Sequence, residues 1–366
     1  MRANIIQFLS NTSIMASALF IPNYAQELGA SNADIGLIGA AYGSAIFLSS
    51  YIFGRASDMR DRRSFLKWGL FVSTITFLLQ VLAYDALSLM FLRALVGFSM
   101  GIFMAPLVAY TFESGGRLGA FSAYGSLGWA AGSILAGGIA QVGENFSHIH
   151  KLLPYWVVFI FCSIFFLISL IISLNLPEVT IKRTQVPLFP FHLIRKNAFV
   201  YFPVLLRHLG AFSIWIVFPL YLTELGANKM WIGVLYFINM GTQFMVMRKL
   251  DLKDDVMLIK SGLALSAFTF FSYSLAGSFY QVIPIQVLLA FSYSCLYVGS
   301  LLFLTRNNEE KATTVGILNS FMSISASVGP LFGGFISELW GYTSVLYFAT
   351  TLAVFGLFTN LIQRHS

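Results

Sequence analysis

Residues 22–36 read PNYAQELGASNADIG, and residues 219–233 read PLYLTELGANKMWIG. Pro, Tyr, Glu, Leu, Gly, Ala, Ile and Gly coincide without a gap at an offset of 197. The same offset pairs Gly119 with Gly316, Ser126 with Ser323, Gly132 with Gly329, Gly137 with Gly334 and Ile139 with Ile336. It also sets Asp58 against Asp255. One offset held over more than a hundred residues marks an internal duplication. Two related halves are expected, 1–178 and 199–366, joined by a basic, proline-containing linker at 179–198.

Composition says what the halves are made of. The 366 residues are 57% hydrophobic and only 10% charged, where a soluble domain carries about 25% charged residues. A soluble globule and a disordered chain are both excluded. Runs without Asp, Glu, Lys or Arg cover 3–26, 35–54, 68–84, 118–143, 152–177, 230–247, 312–337 and 339–363. The run 261–305 is too long for one crossing of a hydrocarbon core about 30 Å thick. It divides most simply near Gly277, Ser278 and Pro284. Two more runs, 86–112 and 197–223, each hold one arginine, Arg93 and Arg207. The sum is twelve transmembrane helices, six per half, since helices satisfy their own backbone in lipid. The first run is too long for a signal-peptide core and is read as span one. An even number of spans per half makes the halves parallel repeats about the membrane normal, an arrangement of rocking-type transporters.

The net charge of +7 belongs to topology. With the N-terminus inside, eighteen of the 22 Lys and Arg residues fall on inner loops and only Lys151 and Lys229 on outer ones. Cytoplasmic loops favour Lys and Arg, so both termini are expected in the cytoplasm of a multi-pass cell-membrane protein. The lipid bilayer is the expected partner of the basic loops, and nucleic acid is not. Cys162 and Cys295 lie in apolar runs and carry no metal-ligand spacing. His148 and His150 form an H-x-H in an outer loop, two ligands where a metal site needs more. Neither H-E-x-x-H, G-x-S-x-G nor a nucleotide-binding motif is present, so neither an enzyme nor a primary pump is expected, and no cofactor or metal.

After span two the chain reads Gly54-Arg-Ala-Ser-Asp58-Met-Arg-Asp-Arg62-Arg63. This resembles the G-x-x-x-D-x-x-G-R-R loop of the major facilitator superfamily, with Asp61 in place of the second glycine. Arg93-x-x-x-Gly97-x-x-x-Gly101 in span four is similar to a motif of that family's drug:proton antiporters. Gly329-Pro-Leu-Phe-Gly333-Gly334 repeats the antiporters' G-P-x-x-G-G, but in span eleven. Span five, where antiporters carry it, reads Gly132-Ser-Ile-Leu-Ala-Gly137-Gly138 without the proline. The resemblance covers essentially the whole chain. It implies the major facilitator fold, all-α with two six-helix parallel repeats, and alternating access. It also implies that Asp58 faces the start of span eleven near Thr313 and Thr314, latching the halves on the cytoplasmic side. Gly54, Arg62 and Arg63 would serve that gate, and Asp255 would be its weaker mirror. A helix N-terminus carries about half a positive charge, which gives the latch its physics; a plain topogenic basic loop is the alternative. The glycines of spans five and eleven are read as close helix packing.

Charges inside spans are costly and usually functional. No acidic residue lies near a span centre; Arg207 and His208 do, in span seven, and Arg93 sits outward of the middle of span four. Three fates are open to an arginine there: an anionic substrate, water, or helix carbonyls and a snorkelling side chain. His208 is either the carrier of a coupling proton or a neutral core histidine. Asn11, Trp215, Asn239, Gln243 and Tyr293, with Tyr42, Tyr124 and Asn319, are the other polar candidates for the cavity. The resemblance implies that spans one, four, seven and ten face that cavity and that two, five, eight and eleven flank it. The expected function is secondary transport of a small-molecule substrate by a monomer. Efflux of amphipathic compounds is favoured by the motifs, and a polar or anionic metabolite held near Arg207 is the alternative.

Overall fold

A computed structural model describes residues 2–59, 61–115, 118–178, 191–247, 249–250, 254–308 and 311–362. Twelve long helices carry it: α1 (Arg2–Leu19), α2 (Asn32–Met59), α3 (Arg62–Leu79), α4 (Ala86–Glu113), α5 (Leu118–Glu144), α6 (Leu153–Leu174), α7 (Ala198–Glu224), α8 (Lys229–Met247), α9 (Asp255–Ser274), α10 (Phe279–Arg306), α11 (Lys311–Trp340) and α12 (Tyr342–Ile362). A short helix, Ile21–Glu27, continues α1 past Phe20. Among the described residues, eleven helices are long and apolar enough to cross a membrane by composition alone. The twelfth is α5, whose 27 residues are rich in Gly, Ala and Ser. It gives up hydropathy for close packing against α1 and α8.

Three boundaries differ from the charge-free runs, each for a local reason. α3 starts at Arg62 because Asp61 caps it: the carboxylate accepts from Arg63 N at 3.1 Å. Asp61 has φ −59°, so this turn has no need of the family's glycine. Pro284 lies inside α10, and the chain breaks before Phe279 instead. A proline near the start of a helix removes one hydrogen bond, a loss that membrane helices tolerate. Of the linker, 179–190 falls outside the described residues, while Phe191–Lys196 is helical. Asn197 then exchanges amide hydrogen bonds with Asn308 at 3.1 Å each way.

The duplication is visible in the packing. α1 packs on α5 and α6, α2 on α4, and α3 on α4 and α6; α7 packs on α11 and α12, α8 on α10, and α9 on α10 and α12. The halves meet chiefly through two crossings, α2 with α11 and α5 with α8. Both are backbone contacts. A Cβ on Gly36 would lie 2.5 Å from Pro330 O and 2.9 Å from Gly334 Cα. A Cβ on Gly233 would lie 2.5 Å from Ser133 O and 3.0 Å from Gly137 Cα. The offset of 197 relates the two crossings residue for residue, Gly36 to Gly233 and Gly137 to Gly334. Other glycines of α5 and α11 serve inside a half: Gly128 and Gly132 press on α1, and Gly329 and Gly333 on α7.

The crossings lie toward one end of the bundle. Nearer the other end, which carries Arg2, Arg62, Arg63, Lys196 and Arg306, Gly241 of α8 and Gly316 of α11 have nothing within 4 Å of a Cβ position. Among the described residues, polar contacts join the halves at the end away from these basic residues, and no glycine contact joins the halves at Gly241 or Gly316.

Packing inside one half and packing between halves respond differently to bulk. A Cβ on Gly69 of α3 would lie 2.6 Å from Phe103 Cβ of α4, within one half. Gly69→Leu should cost about 1–3 kcal/mol by overpacking. A lowered midpoint of thermal unfolding in detergent is the expected result.

Candidate substrate cavity

α7 places Arg207 and His208 side by side, both buried at 3% exposure. Arg207 turns into its own half. Its Nε donates to Ser266 Oγ of α9 at 3.0 Å, and Ser266 is bonded in turn to Ser292 of α10 at 2.6 Å. The guanidinium lies 5.4 Å from the ring centre of Phe270 and 5.5 Å from that of Tyr293. A desolvated cation over an aromatic face gains about 2 kcal/mol. Among the described residues no carboxylate pairs with it. Arg207 thus sits behind Tyr293, clear of the helix ends. Snorkelling does not describe it.

His208 Nδ1 meets Val204 O at 2.8 Å, which makes Nδ1 the protonated nitrogen. Its Nε2 is buried without a protein partner among the described residues. The ring meets Tyr293 edge-on at 6.0 Å. Half-buried Tyr293 stacks on Tyr297 at 5.5 Å and 8°. These two tyrosines, with His208 beside them and Arg207 behind, form an aromatic wall on α7 and α10. Tyr297 escaped the sequence reading; its spacing of four from Tyr293 on one helix face was the available signal.

The remaining candidates divide. Asn239 is fully buried and spent between helices, its Nδ2 donating to Gln286 O at 3.0 Å and its Oδ1 accepting from Gln243 Nε2 at 2.7 Å. Gln243 stays half-buried. Trp215 packs edge-on to Tyr236 at 4.7 Å. Asn11 lies against Gly125 and Gly128 of α5. Tyr124 and Asn319 are exposed.

Arg93 is the counterpart problem in the first half, with a different solution. Its Nη1 donates to Ser17 Oγ at 3.2 Å and to Gln80 Oε1 at 3.1 Å. The guanidinium caps the Tyr42 ring at 4.2 Å. Side chains of α1, α2 and the end of α3 hold it, where helix carbonyls were one expectation. α4 and α10 begin 193 residues apart, so Arg93 corresponds to Gln286 and Gln80 to Tyr273. In the second half those two residues line a small internal space with Ile214, Trp215 and Phe218. Gln286 Oε1 and Tyr273 OH have no protein partner there among the described residues. The space admits roughly one water.

At the basic end, the surroundings of Gly54 and the side chains of Asp58 and Thr313 lie outside the described residues, although α2 runs through Met59. Arg62 and Arg63 are placed. Arg62 pairs with Glu113 of α4 at 2.8 Å. Arg63 pairs with Asp61 and Glu178 and donates to Leu176 O at 3.2 Å, tying α3 to the end of α6. Asp255 does not mirror Asp58. It opens α9, whereas Asp58 is near the end of α2. α8 has 19 residues where α2 has 28, and the longer loop before α9 makes up only part of the difference, so the offset there is 193 and Asp255 corresponds to Arg62. It pairs with Arg306 at 3.6 Å, and Arg306 corresponds to Glu113. The two halves carry the same ion pair with its signs exchanged.

Because Gln80 supplies a fixed acceptor to a buried cation, Gln80→Leu should cost about 1–3 kcal/mol of stability. Thermal unfolding of the purified protein measures the loss. Ligand-induced stabilisation should be unchanged, since this network lies inside the first half.

Comparison with known proteins agrees with this architecture. Residues 3–253 match the sequence profile described as Major Facilitator Superfamily. No curated protein matches the chain. Among solved structures, a bacterial homolog of the human lysosomal transporter Spinster, inward-facing and occupied, superposes with a TM-score of 0.84 at 13% identity, covering 100% of this chain and 96% of that one. Its inward-facing, unoccupied form gives 0.76 at 14% identity, over 99% and 94%. The nucleoside transporter NupG gives 0.74 at 12% identity, over 99% and 97%. At such identities these likenesses concern the fold, while the profile match spans more than half of the sequence. A duplicated twelve-helix membrane bundle with that match is a membrane transport protein, and the chain belongs to the major facilitator superfamily.

Proposed function

We propose that this protein is a secondary transporter of the cell membrane that exports a small amphipathic compound by rocker-switch alternating access. With the basic end in the cytoplasm, as Lys and Arg prefer, the described state is open to the inside. One chain supplies both halves, and we take the working unit to be a monomer. The observation that carries the substrate class is the Tyr293–Tyr297 stack beside His208, an aromatic wall suited to a flat apolar body with a polar tip. Both buried arginines are engaged within their own halves, which leaves that wall without a charge of its own.

A second reading rests on Arg207. It has no carboxylate partner among the described residues and lies one ring behind the wall. An anionic metabolite that displaced Tyr293 would meet it.

A thermal-shift screen of the purified protein separates the two. A ligand at a hundred times its dissociation constant stabilises the folded state by about 2.7 kcal/mol. Amphipathic aromatic compounds should stabilise the wild type, with the shift lost in Tyr293→Ala and kept in Arg207→Lys. Stabilisation by organic anions alone, abolished in Arg207→Lys, would overturn the efflux reading in favour of the metabolite.

A further inference from the structure

α2 and α8 both begin at the end where the halves cross, and each presents first-turn N–H groups that no helical carbonyl can reach. A local residue takes the third of these. Ser31 Oγ accepts from Asp34 N at 3.2 Å, and Asn228 Oδ1 accepts from Trp231 N at 2.9 Å. The earlier ones are taken from the opposite half. Glu338, near the end of α11, accepts from Asn32 N at 2.7 Å and from Ala33 N at 3.4 Å. Gln141, near the end of α5, accepts from Met230 N at 3.4 Å.

The repeat relates these contacts one to one at an offset of 197: Ser31 to Asn228, Ala33 to Met230, and Gln141 to Glu338. Each half therefore caps a helix of the other across the interface, beside the Gly36–Gly334 and Gly137–Gly233 crossings. The two caps differ in charge. Glu338 is an anion at the positive end of a helix, whereas Gln141 is neutral. On its side the charge comes from Glu144, which accepts from Gln141 Nε2 at 2.8 Å and pairs with Lys229, the first residue of α8.

We propose that Glu338 and Gln141 are the latch residues of the gate at this end, holding it shut by capping the facing helices and letting go when the halves rock apart. The inference rests on alternating access and needs no knowledge of the substrate. Release is possible because Glu338 is exposed and the freed N–H groups emerge into water. The bonds exchange with solvent, so the latch is worth only the small net difference between protein and water partners. A gate that must open on every cycle requires a contact of that modest strength.

The test reads gate opening directly. Ser327→Cys lies on the α11 face that α2 covers; a Cβ on Gly43 would sit 3.1 Å from Ser327 Cα. In sealed vesicles an impermeant maleimide is confined to the face carrying Glu338, and the labelling rate follows the open population. The parent chain, whose Cys162 and Cys295 are buried, supplies the background. Glu338→Ala should speed labelling about two- to fivefold, Glu338→Gln should fall between, and Gln141→Leu should give a smaller rise. Gly36→Leu, which wedges the crossing apart, is the positive control. Fast labelling in the Gly36 variant with unchanged rates in both Glu338 variants would overturn the latch and leave alternating access standing. No acceleration in any variant would overturn both.

Discussion

Where Gly36 meets Gly334 and Gly137 meets Gly233, helices of opposite halves touch backbone to backbone. The rest of the molecule depends on those two crossings. Contact at such range leaves no space for side chains, so the halves are held together by shape and by polar groups at the rim. Helix association in lipid lacks the hydrophobic drive available in water. A glycine contact therefore holds by close packing and loses little when it separates. The rim groups Glu338, Gln141 and Lys229 lie beside these crossings, whereas Gly241 and Gly316, farther along α8 and α11, face open space.

Each half also had to bury a guanidinium in a medium that punishes unpaired charge. The first half spread Arg93 over Ser17, Gln80 and Tyr42, which belong to three different spans. The second half placed its arginine elsewhere, on α7, and gave it a hydroxyl and two aromatic faces. At the position related to Arg93 it has Gln286, beside a small space. The halves share a backbone plan, and their polar interiors are different solutions.

Much of the architecture was legible because the bilayer imposes it. Span length, the basic asymmetry and the offset of 197 gave twelve helices and two repeats. α5 shows the limit of hydropathy, since close packing selected small residues over apolar ones. The pairing of Asp255 with Asp58 failed for a simple reason: one offset was carried past a helix, α8, that is shorter than its counterpart α2. The site was less legible. Arg207 and His208 stand out in a sequence because charge in a span is rare. Arg207's partners Ser266 and Phe270, and Tyr297 stacked on Tyr293, are ordinary membrane residues whose importance comes only from proximity. The contacts of Glu338 and Gln141 are with backbone N–H groups that sequence does not display.

The exchanged ion pairs, Arg62 with Glu113 and Asp255 with Arg306, say something about the history of the chain. Both members of each pair lie in one half, so a reversal of sign in one half makes no demand on the other. Two successive substitutions, with a single mismatched intermediate at a helix end, are enough. The glycine crossings have no such freedom, because each residue answers to a residue of the opposite half. After the duplication, contacts internal to a half were free to drift apart in chemistry, while those shared between halves had to change together or stay as they were.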